Sequence, residues 1–109
     1  MALVIEMVDP ETVKDWLTSG SAHVIDVREP QERSDERIEG TEANPLSQFD
    51  VAAVTVPEGK KLVFHCRSGV RCGKAAERLE AAGYEGTVYR LRGGVLGWKE
   101  AGLPTISGV

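Results

Sequence analysis

Residues 65–72 read His-Cys-Arg-Ser-Gly-Val-Arg-Cys, placing two thiols, two guanidinium groups, an imidazole and a hydroxyl in eight positions. They follow the apolar run Leu62-Val63-Phe64 directly. Four chemistries are open to such a stretch: a metal site, a redox pair, a phosphate cradle, or a nucleophile with its own anion-binding loop. Spacing disfavours metal. Structural zinc ligands come in close pairs of the Cys-x-x-Cys or His-x-x-x-His kind, whereas Cys66 and Cys72 are six apart, His65 adjoins Cys66 and His23 is remote. The expectation is no metal and no cofactor.

The elements around the stretch decide among the rest. Leu62 to Phe64 reads as a short buried strand, apolar on both faces. After it, Ala75, Ala76, Leu79 and Ala82 recur at helical spacing across residues 73–83, with Gly83 as C-cap. The loop Cys66-Arg67-Ser68-Gly69-Val70-Arg71 therefore joins a strand to a helix N-terminus. Such a terminus offers unpaired N–H groups and partial positive charge, and successive loop N–H groups form an anion-binding nest. Arg67 and Arg71 add charge and Ser68 a donor. A cysteine so placed is expected to be an exposed nucleophilic thiolate of lowered pKa. A cysteine after a buried strand also serves as a plain core residue. Two arginines where the helix dipole disfavours cations favour the anion-binding reading. Cysteine-dependent phosphatases have a similar loop, but with Arg six positions after the Cys; here Cys72 holds that place and Arg71 comes one residue earlier. The shorter loop suits a terminal sulfur atom better than a phosphoryl group.

The rest of the chain supplies the scaffold. Asp9-Pro10-Glu11 starts a helix, Val13, Trp16 and Leu17 give it an apolar stripe, and Ser19-Gly20 ends it. His23 to Arg28 reads as a buried strand that Glu29-Pro30 breaks. Residues 29–45 look polar and irregular, and Leu46 to Val54 can hold a short helix. Thr87 to Leu91 is a further strand, Gly93-Gly94 a loop, and Val95 to Ala101 a closing helix stopped by Gly102 and Pro104. Strands alternating with helices imply a mostly parallel sheet covered on both faces. Ligands bind such sheets beyond the carboxyl ends of the strands, where both Asp26-Val27-Arg28 and the Cys66 loop fall.

Bulk properties set limits. A chain of 109 residues suits one domain, expected over 1–109 with its core at about 8–104. A net charge of -4, with acids and bases intermixed, argues against a nucleic-acid partner. No apolar run approaches the roughly 18 residues of a membrane span. MALVIEMVDP has neither a basic n-region nor a long apolar h-region. A cytoplasmic monomer with reduced thiols is the expectation.

Four ordered segments resemble the single-domain rhodanese sulfurtransferases: Ile25-Asp26-Val27-Arg28-Glu29-Pro30, residues 38–46, the active-site loop Val63 to Arg71, and Leu91 to Trp98 followed by Ala101-Gly102-Leu103-Pro104. The resemblance spans roughly residues 8 to 104. It implies a three-layer rhodanese-like α/β fold with a central, mostly parallel five-stranded sheet flanked by helices. It further implies a thiosulfate sulfurtransferase working through a Cys66 persulfide, with Arg67, Ser68, Gly69, Val70 and Arg71 binding the substrate. In this picture Asp26 and Arg28 brace the loop. The donor is thiosulfate or a similar small molecule. The acceptor is cyanide or a thiol, a small thiol protein among them. Cys72 is either filler in the first helical turn or a redox partner of Cys66. His65, adjacent along a strand, is expected to face away from Cys66, and Trp98 to pack the closing helix. Two departures stand out: Arg37 where relatives carry His, and one residue fewer in Thr41 to Leu46. They bear on selectivity. A non-catalytic binding or regulatory module, and a small-anion reductase or phosphatase of related fold, are the competing functions.

Overall fold

The computed structural model describes residues 3–56, 59–68 and 70–107. Its strands are β1 (Leu3–Val8), β2 (Ala22–Asp26), β3 (Glu42–Ala43), β4 (Lys61–His65) and β5 (Gly86–Leu91). Its helices are α1 (Pro10–Ser19), α2 (Pro30–Asp35), α3 (Val70–Ala81) and α4 (Gly94–Glu100), and two 3-10 turns lie at Leu46–Gln48 and Val51–Ala53. The sheet order is β1-β5-β4-β2-β3 and every pairing is parallel, so the expected five-stranded α/β sheet is present with β4 at its centre.

Side-chain alternation along β4 divides the core. Leu62 and Phe64 join Ile25, Val27 and Val88 on one face, under Cys72, Ala75, Ala76 and Leu79 of α3. Val63 joins Val8, Val24 and Leu91 on the other, under Val13 of α1 and Val95 and Trp98 of α4. Helices on both faces explain why the central strands are apolar throughout instead of alternating. Trp98 packs as expected: it is buried, and its indole Nε1–H donates to the Pro104 carbonyl at 2.8 Å. No helix among the described residues is long and apolar enough to cross a membrane.

Several sequence expectations are corrected. β1 has no counterpart among the elements the sequence pattern predicts; it is an edge strand whose Val4, Ile5 and Met7 remain exposed, so no one-sided pattern marks it. Residues 29–45 are irregular only in part, since they hold α2 and the two-residue strand β3. Pro30, expected to end the preceding strand, occupies the first turn of α2, where a missing N–H costs nothing. The helix expected over 46–54 is two 3-10 turns separated by Phe49 and Asp50. α3 begins at Val70, so Arg71 and Cys72 lie in its first turn. The Gly20 stop of α1 holds: its backbone is left-handed (φ 72°), and its N–H and that of Ser21 bond to the Leu17 and Trp16 carbonyls.

Candidate active site

Cys66 is the first residue beyond β4, at the carboxyl edge of the sheet. The loop that follows is held from outside by α4. The Val95 amide donates to the Cys66 carbonyl at 2.7 Å and the Leu96 amide to the Arg67 carbonyl at 3.1 Å. Gly94 makes this approach feasible. A Cβ there would lie 2.4 Å from the Cys66 carbonyl oxygen, and its φ is +58°, a left-handed value that favours glycine. The Gly93-Gly94 pair is thus the seat on which the cysteine loop rests.

The Cys66 side chain continues the alternation of Leu62 and Phe64 and enters the α3-side core. It is 1% exposed, and Cys72 is fully buried beside it. The expectation of an exposed thiol is therefore wrong: drawing the loop carbonyls onto α4 turns the sulfur inward beneath α3. The Cys72 thiol is hydrogen-bonded to the Cys66 sulfur; that bond first, and burial second, push it well above its ordinary range, so it stays protonated. His65, next along the strand, shares the face of Val63, opposite to that of Phe64 and Cys66.

The two loop arginines differ. Arg71 is committed: its Nη1 and Nη2 donate to the two oxygens of Glu32 at 2.6 and 2.8 Å, joining the start of α3 to α2. That bidentate bond holds Glu32 down to about 2 and raises Arg71, to which the nearby Cys66 sulfur also contributes. Arg67 is exposed and, among the described residues, has no ion-pair partner. It lines a cleft of about 220 Å³ together with Arg28, Glu32, Asp35, Glu36, Val95, Leu96 and Lys99. Ser68 and Val70 are exposed beside it. Gly69 lies outside the described residues.

Beneath the mouth of this cleft sits a buried charge network. Asp26, at the end of β2, is fully buried and Arg28 is 4% exposed. The Arg28 Nε and Nη2 donate to the two Asp26 oxygens at 3.0 and 2.9 Å, and the Arg28 backbone N–H donates to Oδ1 at 2.9 Å. Arg28 also donates to the Glu36 carbonyl, and Arg33 donates to both Asp26 and Thr41. Burial alone would raise Asp26, but these donors outweigh it and the carboxyl lies below its ordinary range. His65, the register partner of Asp26, is fully buried with Nε2 3.6 Å from Oδ2; burial lowers it to about 4, so it is neutral. Val27 in turn bonds to the His65 carbonyl at 3.0 Å, tying the two strand ends together.

Sequence reasoning brought Cys66, Arg67, Ser68, Asp26 and Arg28 to this end of the sheet, and the structure gathers them there. It missed Glu32 and Arg33. The signal for α2 was present, since Glu29-Pro30 followed by Glu32 has helix-start chemistry and the Glu29 N–H is received by Glu32 Oε1 at 3.0 Å. Arg37 is pinned by its backbone, which pairs with Ile106 in both directions at 2.8 Å.

The model of the rhodanese-like domain family matches residues 9–101. An uncharacterised protein of Synechocystis sp., slr1261, is 39% identical over 97 residues, covering 89% of this chain and 54% of its own length. This chain thus spans about half of that relative. A sulfurtransferase of Allochromatium vinosum is 29% identical over 105 residues, covering 95% of this chain and 97% of that one. The thiosulfate sulfurtransferase of Pseudomonas aeruginosa superposes with a TM-score of 0.83 at 24% identity, over 96% of this chain and 21% of that one, a likeness of fold.

Proposed function

The chain belongs to the rhodanese-like domain family, whose members include sulfurtransferases, and from that premise we propose that it is a thiosulfate sulfurtransferase with Cys66 as its nucleophile. The observation that carries the reading is the seat of Cys66: it follows the central strand, its loop carbonyls are bonded to α4, and α3 opens at Val70. With the Cys66 and Arg67 carbonyls bonded to α4, the partial positive charge at the start of α3 is the dipole this reading uses at the sulfur. It stabilises negative charge there without reorganisation. The thiolate attacks the outer sulfur of thiosulfate, the S–S bond breaks, and sulfite departs with the electron pair. Cys66 then carries S–S⁻, which an acceptor nucleophile, cyanide or a thiol, takes in a second step. Arg67 is the cation available to hold the sulfonate, while Arg71 fixes α3 through Glu32 and acts on Cys66 by its charge. Burial of the sulfur favours a donor that delivers one terminal atom and excludes water from the persulfide. Asp26 and Arg28 are braces. The reading calls for a reducing compartment, the cytoplasm, and for a monomer without cofactor.

Steady-state thiocyanate formation from cyanide, with thiosulfate, mercaptopyruvate and a glutathione persulfide as donors, tests it. Parallel double-reciprocal lines, with thiosulfate the preferred donor, are expected of a covalent intermediate. Absence of turnover with every donor would leave the non-catalytic module in its place.

A further inference from the structure

Cys72 plays no part in the two half-reactions, yet it is a buried, protonated thiol set against the Cys66 sulfur. Both cysteines are reduced and belong to the same core cluster. Arg90 reaches under this turn of α3 from β5: its guanidinium lies 3.5 Å from where a Cβ on Gly73 would sit, and its positive charge offsets only in part the Cys66 sulfur and the burial that keep Cys72 protonated. A filler residue needs none of this; Ala75 and Ala76, a turn further along α3, fill the same core with methyl groups.

Cys66 and Cys72 share one buried cluster, so once Cys66 carries a persulfide the sulfur on the Cys72 side is the inner one, the Cys66 Sγ itself. We propose that Cys72 is a built-in resolving thiol that attacks this inner sulfur, closing a Cys66–Cys72 disulfide and releasing sulfide. The inference rests on the persulfide reading above. Its balance is complete within the protein: Cys66–S–S⁻ and Cys72–SH give Cys66–S–S–Cys72 and HS⁻. The S–S bond of the persulfide breaks, a new one forms, and the thiol proton leaves on the departing sulfide. The sulfane sulfur is reduced to sulfide as the two cysteine sulfurs are oxidised, so no outside oxidant is needed. A thiol reductant reopens the pair by exchange, two equivalents giving two cysteine thiols and one external disulfide. The chain would then have a second output, sulfide, when no acceptor intercepts the persulfide, and it would be switched off until reduced.

Reduced protein is loaded anaerobically with thiosulfate, freed of small molecules by gel filtration, and followed by intact mass and a sulfide assay. Wild type is expected to gain about 32 Da as the persulfide forms, then pass to a species about 2 Da lighter than the reduced protein with one sulfide released. Cys72→Ala and Cys72→Ser are expected to hold the added sulfur at least about tenfold longer, the least an intramolecular thiol should contribute. The serine variant guards against a packing defect at this buried site. Equal persulfide lifetimes in all three proteins would overturn the proposal with the persulfide reading intact. Failure of the Cys72 variants and wild type alike to take up sulfur would overturn both.

Discussion

The Val95 amide donates to the Cys66 carbonyl at 2.7 Å. Through this bond the closing helix, almost thirty residues later in the chain, sets the path of the cysteine loop. The approach exists because Gly94 has no side chain. Gly94→Ala forces a Cβ to 2.4 Å from the Cys66 carbonyl oxygen at a left-handed backbone. A loss of at least about 2 kcal/mol is expected from the combined strain and overpacking. Urea unfolding measures it, and iodoacetamide should reach Cys66 faster in the variant as the loop lifts off α4.

Asp26 and Arg28 form a buried, bidentate pair. Asp26→Ala leaves the Arg28 guanidinium buried without its counter-charge, and a loss of about 3–5 kcal/mol is expected. Chemical denaturation of the variant at neutral pH gives the figure; a loss below about 1 kcal/mol, the size of an exposed pair, would show that water reaches Arg28.

Much of this frame is legible in the sequence. The Leu62 to Phe64 run, the α3 periodicity and the Gly20 stop are local signals, and each acts where it stands. What escapes is non-local. Arg71 and Glu32 are 39 residues apart and meet only because the parallel crossover brings α2 beside the start of α3. β1 exposes Val4, Ile5 and Met7 at the sheet edge, so neither alternation nor uninterrupted burial betrays it. The inward turn of Cys66 depends on α4 as well as on its own loop, which is why an exposed thiol is the natural but incorrect expectation. Glycines 93 and 94 are visible as a motif, yet their purpose shows only when the Cys66 carbonyl is seen against them.

The Glu32–Arg71 bond makes a signed prediction in acid. Arg71 lowers Glu32 from 4.5 to about 2 in the folded chain, so the bond stabilises fully above pH 4.5 and its contribution is lost as pH falls from 4.5 toward 2. Glu32→Gln should lower the melting temperature at pH 7 and make progressively less difference toward pH 2. An equal deficit at both ends would mean that the carboxylate charge is not what Arg71 uses.

His65 acts in the same direction over a higher window. Burial lowers it from 6.5 to about 4, so between these values the unfolded chain binds a proton that the folded chain refuses, and stability falls as pH drops from 6.5 to 4. Proton NMR should show the His65 ring neutral at pH 5.5. In His65→Gln the stability lost between pH 6.5 and 4 should be smaller than in wild type.

The central claim, that Cys66 carries the sulfur, is tested most directly by weighing the intact protein immediately after brief exposure to thiosulfate and locating the adduct by peptide mapping. The account predicts a gain of about 32 Da on the peptide containing Cys66 in wild type, and none in Cys66→Ser, because transfer passes through a covalent intermediate on that sulfur. No gain in wild type, or a gain that survives in Cys66→Ser, would contradict it.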